Sequence, residues 1–161
     1  TEGCIWAMRE RRSCLSERIC AQYAVSMYRL RSSISSALRL RCSCSFQTML
    51  LNNGKINGTQ FLSAESIEEL RKIRTEGLPV RYAPKTAQAF QYASGAWVIE
   101  GKNGLADALT SPGLFGTWPV VDYCNGYSSL ILVKNLITED RADIHQEIRQ
   151  LIMKQLTNRC Q

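Results

Sequence analysis

The residues able to do chemistry in this chain are few, and their spacing restricts what they can do. A single histidine, His145, is the only imidazole available as a base. It stands beside the apolar stripe of a helical segment, four residues before Arg149, and this position predicts an exposed helix residue rather than a base. Seven cysteines are present. An odd number cannot all pair within one chain. Cys42-Ser43-Cys44 is a C-x-C without a second pair or nearby His to complete four ligands, and Cys14 and Cys20 have no partner in pattern, so no metal site is expected. The cysteine count does not identify the redox compartment. Trp97 and Trp118 read as sheet packing before ligand stacking. No cofactor is implied.

Charge is distributed unevenly. Residues 1–50 carry eight Arg, no Lys and three Glu, together with five of the cysteines and nine Ser, so most of the formal +6 belongs to one end. A basic arm of this kind could bind nucleic acid or an anionic membrane through residues 1–45. That reading requires cations interleaved with aromatics on one face, which Trp6, Tyr23 and Tyr28 do not supply, and no nucleic-acid partner is expected. The densest apolar run, Leu130-Ile131-Leu132-Val133, has the length of a strand, so no membrane span is predicted. The chain starts at Thr1 with its first Met at Met8 and no signal-peptide pattern, from which a processed or truncated start is expected.

From about residue 46 the start, stop and turn signals agree with one another. Phe46, Met49 and Leu50 lie at helical spacing before Asn52-Asn53-Gly54, predicting the last turn or two of a helix and its C-cap. Asn57-Gly58 marks a tight turn. Ser63 is the N-cap of a helix to about Arg74, with Glu65 in its first turn and a Leu62–Ile67 staple, ended by Gly77 and Pro79. Strands follow over 90–99, 105–111, 117–123 and 127–134, separated by a turn at 100–104 and a type I′ signal at Asn125-Gly126. Residues 141–156 form an amphipathic helix with Ile144, Ile148, Leu151, Ile152 and Leu156 on one stripe. The order predicts an α+β fold, an antiparallel sheet meander flanked by helices. With only the helices at 63–74 and 141–156 to cover it, one sheet face is expected to stand open.

Residues 1–45 lack caps and turn signals, and their Arg/Ser/Cys bias fits neither folded nor disordered protein. The segment is expected to be non-native or disordered, the product of a frameshift or splice. Residues 46–157 are expected to form a portion of a domain, and 158–161 a tail.

The string Phe46-Gln47-Thr48-Met49-Leu50-Leu51-Asn52-Asn53-Gly54 through Gly58 to Leu62-Ser63 resembles a segment of the serine hydrolases related to class C β-lactamases, penicillin-binding proteins and family VIII esterases. Tyr92-Ala93-Ser94-Gly95-Ala96-Trp97 is similar to a strand of that family. Ser111-Pro112-Gly113-Leu114-Phe115-Gly116 is similar to its third motif, K-T-G or H-x-G with a further Gly. The resemblance implies the C-terminal part of a β-lactamase/transpeptidase-like fold. It also implies a parent that hydrolyses an ester, amide or β-lactam through an acyl-enzyme, takes a small acyl substrate, and is periplasmic or secreted.

In such enzymes the Ser of S-x-x-K attacks, the Lys and the Tyr of Y-x-N move protons, and backbone N–H groups meet the oxyanion. No Ser here has Lys three residues later. The nearest form, Ser26-Met27-Tyr28-Arg29, offers a permanently protonated guanidinium. Tyr123-Cys124-Asn125 matches Y-x-N in letters but follows the third motif, where turn chemistry is expected. The catalytic set is therefore empty and the chain is expected to be inactive by itself. By resemblance, Ser111, Pro112, Gly113, Leu114 and Gly116 line the substrate, with the Leu114 N–H as oxyanion donor and the two glycines permitting close approach. Ser111 stands where β-lactamases place a cationic Lys, and Pro112 has no N–H to give.

If the frameshift reading is right, another frame of the nucleotide sequence upstream of Phe46 encodes a Gly-rich turn and, further upstream, Y-x-N and S-x-x-K. Stop codons in every other frame would refute it.

Overall fold

The computed structural model describes residues 3–9, 34–113, 116–133, 142–156 and 160. Helix α1 covers Ile34–Leu51, α2 Ala64–Arg71 and α3 Ala142–Gln155. The strands are β1 Gly3–Arg9, β2 Lys55–Ile56, β3 Thr59–Gln60, β4 Gln91–Tyr92, β5 Trp97–Lys102, β6 Leu105–Thr110, β7 Trp118–Asp122 and β8 Tyr127–Val133. Six of them form one sheet in the order β1-β8-β7-β6-β5-β4, with every pairing antiparallel, while β2 and β3 form a separate hairpin. The fold is α+β, as the order of periodicities predicts.

Local chemistry accounts for most of the boundaries. Ser63 caps α2 by accepting from the Ser66 N–H at 3.2 Å, and the staple residue Ile67 is fully buried. Helix α1 ends in a Schellman closure. Asn53 takes φ 51°, and the Gly54 N–H reaches back to the Met49 carbonyl at 2.8 Å. Gly54 itself has φ +83°, and a Cβ there would lie 2.0 Å from the Leu62 carbonyl oxygen, so only glycine fits. Asn57-Gly58 and Asn103-Gly104 hold two consecutive positive φ values, the requirement of a type I′ hairpin turn.

Several boundaries depart from the sequence reading. The run over 90–99 is two strands, because Ser94-Gly95 turn the chain with Gly95 at φ 103° and the Ala93 N–H donating to Ala96. Strand β5 then runs on to Lys102, into the segment expected as a turn, through an irregularity in register near Glu100, and the turn itself narrows to Asn103-Gly104. The β7–β8 connection is a four-residue loop, Tyr123 to Gly126, rather than a two-residue type I′ turn. The Asp122 carboxylate accepts from the Asn125 N–H at 2.8 Å, an Asx-type closure that leaves only Gly126 with positive φ. The last turns expected before Asn52 belong to a helix, α1, that begins at Ile34. The boundary expected at residue 46 falls inside it, and β1, further upstream, pairs with β8 from Gly3↔Val133 to Arg9↔Tyr127.

Alternation along the strands sends side chains to two faces. On one, Trp118, Val120 and Ile131 pack with Phe90, Ile99 and Ile148 of α3. On the other, Val98, Ala106 and Leu109 pack with Ala93, Ile73 and Tyr123. Helix α2 lies against β6, where the Arg71 Nε–H donates to the Ala106 carbonyl at 2.9 Å. Helix α1 lies against β7 and β8, and Gln47 donates to the Ser129 carbonyl. Helix α1 thus adds a third helix to the two that the sequence reading counts on to cover the sheet.

One charged cluster ties α3 to the sheet. The Arg149 guanidinium donates to Glu100 at 2.7 Å and to Asp122 at 3.2 Å, and Asp122 also accepts from the Asn125 side chain at 3.1 and 3.2 Å. Asp122 is 1% exposed and Arg149 8%. Removing one member of a buried pair leaves an uncompensated charge at a cost of about 3 to 5 kcal/mol. Arg149→Met is expected to lose stability on this scale in urea unfolding. Asp122→Asn/Arg149→Met, with both charges gone, is expected to lose clearly less.

Candidate functional site

The third-motif segment joins β6 to β7. The Thr110 hydroxyl donates to the Pro119 carbonyl at 2.7 Å, fixing the strand ends. Beyond it Ser111 is exposed, Pro112 half-buried and Gly113 exposed. The Gly113 N–H then donates to the Thr117 carbonyl at 2.8 Å, and the Gly116 N–H to the Gly113 carbonyl at 2.9 Å. Gly116 has φ 88°, a left-handed value that closes the turn. A Cβ on Gly113 would stand 3.3 Å from the Thr117 Cβ, so the glycine also permits this close crossing.

This geometry separates the candidate site residues. Ser111 presents a neutral hydroxyl to solvent, and Pro112 has no N–H. The N–H groups of Gly113 and Gly116 are both engaged within the turn. Leu114, assigned the oxyanion-donor role by resemblance, lies outside the described residues, as does Phe115. An acyl oxygen approaching here would need a free backbone donor and a nucleophile held near it. The described residues of the segment provide an exposed turn with a single hydroxyl.

Tyr123-Cys124-Asn125 lies in the β7–β8 loop, where turn chemistry is expected of it. The Tyr123 ring sits under the Arg71 guanidinium, 4.4 Å from its centroid. Burial pushes the Tyr123 hydroxyl up to about 12, with the Arg71 charge acting in the opposite direction, so the phenol stays protonated at neutral pH. The Asn125 amide is committed to Asp122. Neither group is arranged as a proton carrier for a nucleophile.

His145 is where the sequence reading fails. It is 3% exposed and stacks on Trp118, with ring centroids 4.5 Å apart and 14° between planes. Burial lowers its pKa below 6.5 while the Asp143 charge raises it, and burial dominates. The inward face of α3 runs through His145, Ile148 and Arg149, and Leu151, which the aliphatic stripe includes, is exposed. Counting only aliphatic residues rotates the helix. The signal available in the sequence was the i, i+3, i+4 spacing of His145, Ile148 and Arg149. Trp118 is in the core, as its composition suggests, and Trp97 meets Tyr92 edge-on at 4.8 Å.

The Arg149 cluster was also not legible in the sequence. The hydrogen bond from Arg149 holds the Glu100 carboxyl below the usual carboxylate range, against the effect of burial. Burial disfavours the Arg149 charge, but the Glu100 hydrogen bond and the surrounding charges outweigh it and raise its pKa. The cluster is a structural tether between α3 and the sheet. A shallow depression of about 610 Å³ lies elsewhere, lined by Val80, Arg81, Tyr82, Ala83, Pro84 and Gln88, and shares no residue with the 111–116 segment. Among the described residues no three His, Cys, Asp or Glu side chains group as metal ligands, and no helix is long and apolar enough to cross a membrane.

No family profile matches the sequence, and no curated protein matches it. Solved structures do. A structure from Bacillus anthracis carrying the name 6-aminohexanoate-dimer hydrolase matches with a TM-score of 0.50 and 21% identity over 71% of this chain. A family VIII carboxylesterase matches with a TM-score of 0.44 and 18% identity over 66% of this chain. A structure from Bacteroides dorei named as a beta-lactamase matches with a TM-score of 0.45 and 17% identity over 63%. The chain spans only 29% to 31% of the length of these three structures. At these identities the likeness is one of fold, and the first of the three carries it.

His145 gives the protein a defined acid response. Its folded pKa lies below 6.5, so under acid conditions the unfolded chain binds the proton more readily and stability falls as pH drops through 6.5. Glu100 adds to the loss further down, since its stabilisation is present above 4.5 and disappears as pH falls through its lowered folded value. Chemical denaturation between pH 7.5 and 5 is expected to show a slope of up to about 1.4 kcal/mol per pH unit below 6.5. In His145→Phe this slope should flatten.

Proposed function

We propose that this chain is the C-terminal sheet-and-helix portion of a β-lactamase-related serine hydrolase, and that by itself it is catalytically incomplete. The observation that carries the reading is the arrangement of the third-motif segment. Gly113 and Gly116 donate to the Thr117 and Gly113 carbonyls just before β7, which is followed by β8 and then by α3 packed against the sheet. The fold likeness to the hydrolase from Bacillus anthracis supports it, since the chain spans 29% of that structure. The intact parent would hydrolyse a small ester, amide or β-lactam substrate through an acyl-enzyme.

Incompleteness rests on chemistry. An attacking hydroxyl needs a base within reach, and neither S-x-x-K nor an upstream Y-x-N is present in the sequence. The protonated phenol of Tyr123 and the buried imidazole of His145 are both committed to packing. Ser111 also bears on substrate class in the parent. A neutral hydroxyl loses the charge-assisted contact that a Lys makes to a substrate carboxylate, so esters are favoured over carboxylate-bearing β-lactams.

The purified chain is expected to leave p-nitrophenyl esters and a chromogenic cephalosporin unhydrolysed and to take no label from a fluorophosphonate. Stoichiometric labelling at any serine would overturn the reading. In an intact parent, Ser111→Lys should lower KM for carboxylate-bearing substrates by about tenfold, the scale of one charge-assisted hydrogen bond. An unchanged KM would show that Ser111 does not face the ligand.

A further inference from the structure

Cys124 and Cys160 are the only cysteines beyond residue 50, and the fold brings them together. They form a disulfide with a Cα–Cα distance of 5.5 Å across a sequence separation of 36. One end sits in the β7–β8 loop, between Asp122 and Asn125. The other lies five residues beyond the end of α3. The covalent link therefore closes around the same helix that Arg149 ties to Asp122. Both cysteines are half-buried, within reach of a small thiol.

The noncovalent docking of α3 is costly in polar terms. The helix brings His145 and Arg149 under the sheet, and the His145 Nδ1 and Arg149 Nε atoms are buried without a hydrogen-bond partner. Such atoms forfeit their hydration, which offsets part of the gain from Ile148 and from the Trp118 stack. A helix docked with unsatisfied polar atoms depends on whatever else confines it.

We propose that the Cys124–Cys160 disulfide is a thiol-sensitive clasp that keeps α3 on the sheet, and that its reduction releases the helix and uncovers the face bearing Trp118. A small dithiol supplies the electrons. Its thiolate attacks one sulfur, the protein S–S bond breaks, and the displaced cysteine thiolate takes a proton. The second dithiol sulfur then attacks the mixed disulfide, releasing the other cysteine as a thiol and leaving the reductant as a cyclic disulfide. The clasp goes beyond the hydrolase reading and is independent of it.

Thermal melts and amide hydrogen exchange of the whole chain, with and without dithiothreitol, test the clasp. A non-reducing digest should contain a cross-linked peptide joining Cys124 to Cys160. Reduction is expected to lower Tm by about 5 to 15 °C, the effect of opening a loop of this size in a chain of this length. It is also expected to speed exchange of the α3 amides at least roughly tenfold relative to those of β7 and β8. Cys124→Ser/Cys160→Ser should start at the lower Tm and not respond to the dithiol. Absence of the cross-linked peptide would overturn the proposal, as would an unchanged Tm. A lowered Tm with α3 exchange no faster than that of the strands would also overturn it, since the bond would then act on the unfolded chain alone.

Discussion

The buried carboxylate of Asp122 constrains the C-terminal half of this protein more than any other group. A carboxylate removed from water must be met by donors or by a cation, or its desolvation unfolds the region around it. Here Asn125 meets it from the loop and Arg149 meets it from α3. The first contact fixes the loop as four residues and so sets the β7–β8 register. The second fixes the rotation of α3, which then places Ile148 in the core and the His145 ring on Trp118. Strand register, helix rotation and the aromatic stack all follow from satisfying one charge.

The opposite face of the sheet is organised by a different cation. Arg71, in the last turn of α2, donates to the Ala106 carbonyl, stands 3.9 Å from Asp107 and covers the Tyr123 ring. Tyr123 belongs to the same loop that Asp122 closes, so the two faces are coupled through four residues. Near this crossing the backbones are very close. A Cβ on Gly101 would lie 2.7 Å from the Leu105 carbonyl oxygen and 2.8 Å from Ile73, so this part of β5 accepts no side chain.

The segment that resembles a hydrolase motif follows a different logic. Its glycines serve the turn that carries the chain from β6 into β7, with their N–H groups donating inside it. Among the described residues the segment leaves one exposed hydroxyl, that of Ser111.

The sequence by itself determined the features set by local chemistry. Ser63 as a cap, Asn53-Gly54 as a helix stop and Asn57-Gly58 as a tight turn each follow from the local preference of one or two residues. The missing S-x-x-K was equally legible, since an absent residue needs no fold to reveal it. What only the tertiary structure decided depends on partners far apart in sequence. The inward rotation of His145 depends on Trp118, 27 positions earlier, and the role of Arg149 depends on Glu100 and Asp122. The pairing of β1 with β8 was likewise invisible, because a partner strand so far along the chain leaves no local signal, and the start of α1 at Ile34 went unread. Local signals report what a backbone prefers, whereas burial of a polar side chain is set by the donors and acceptors that distant segments bring to it.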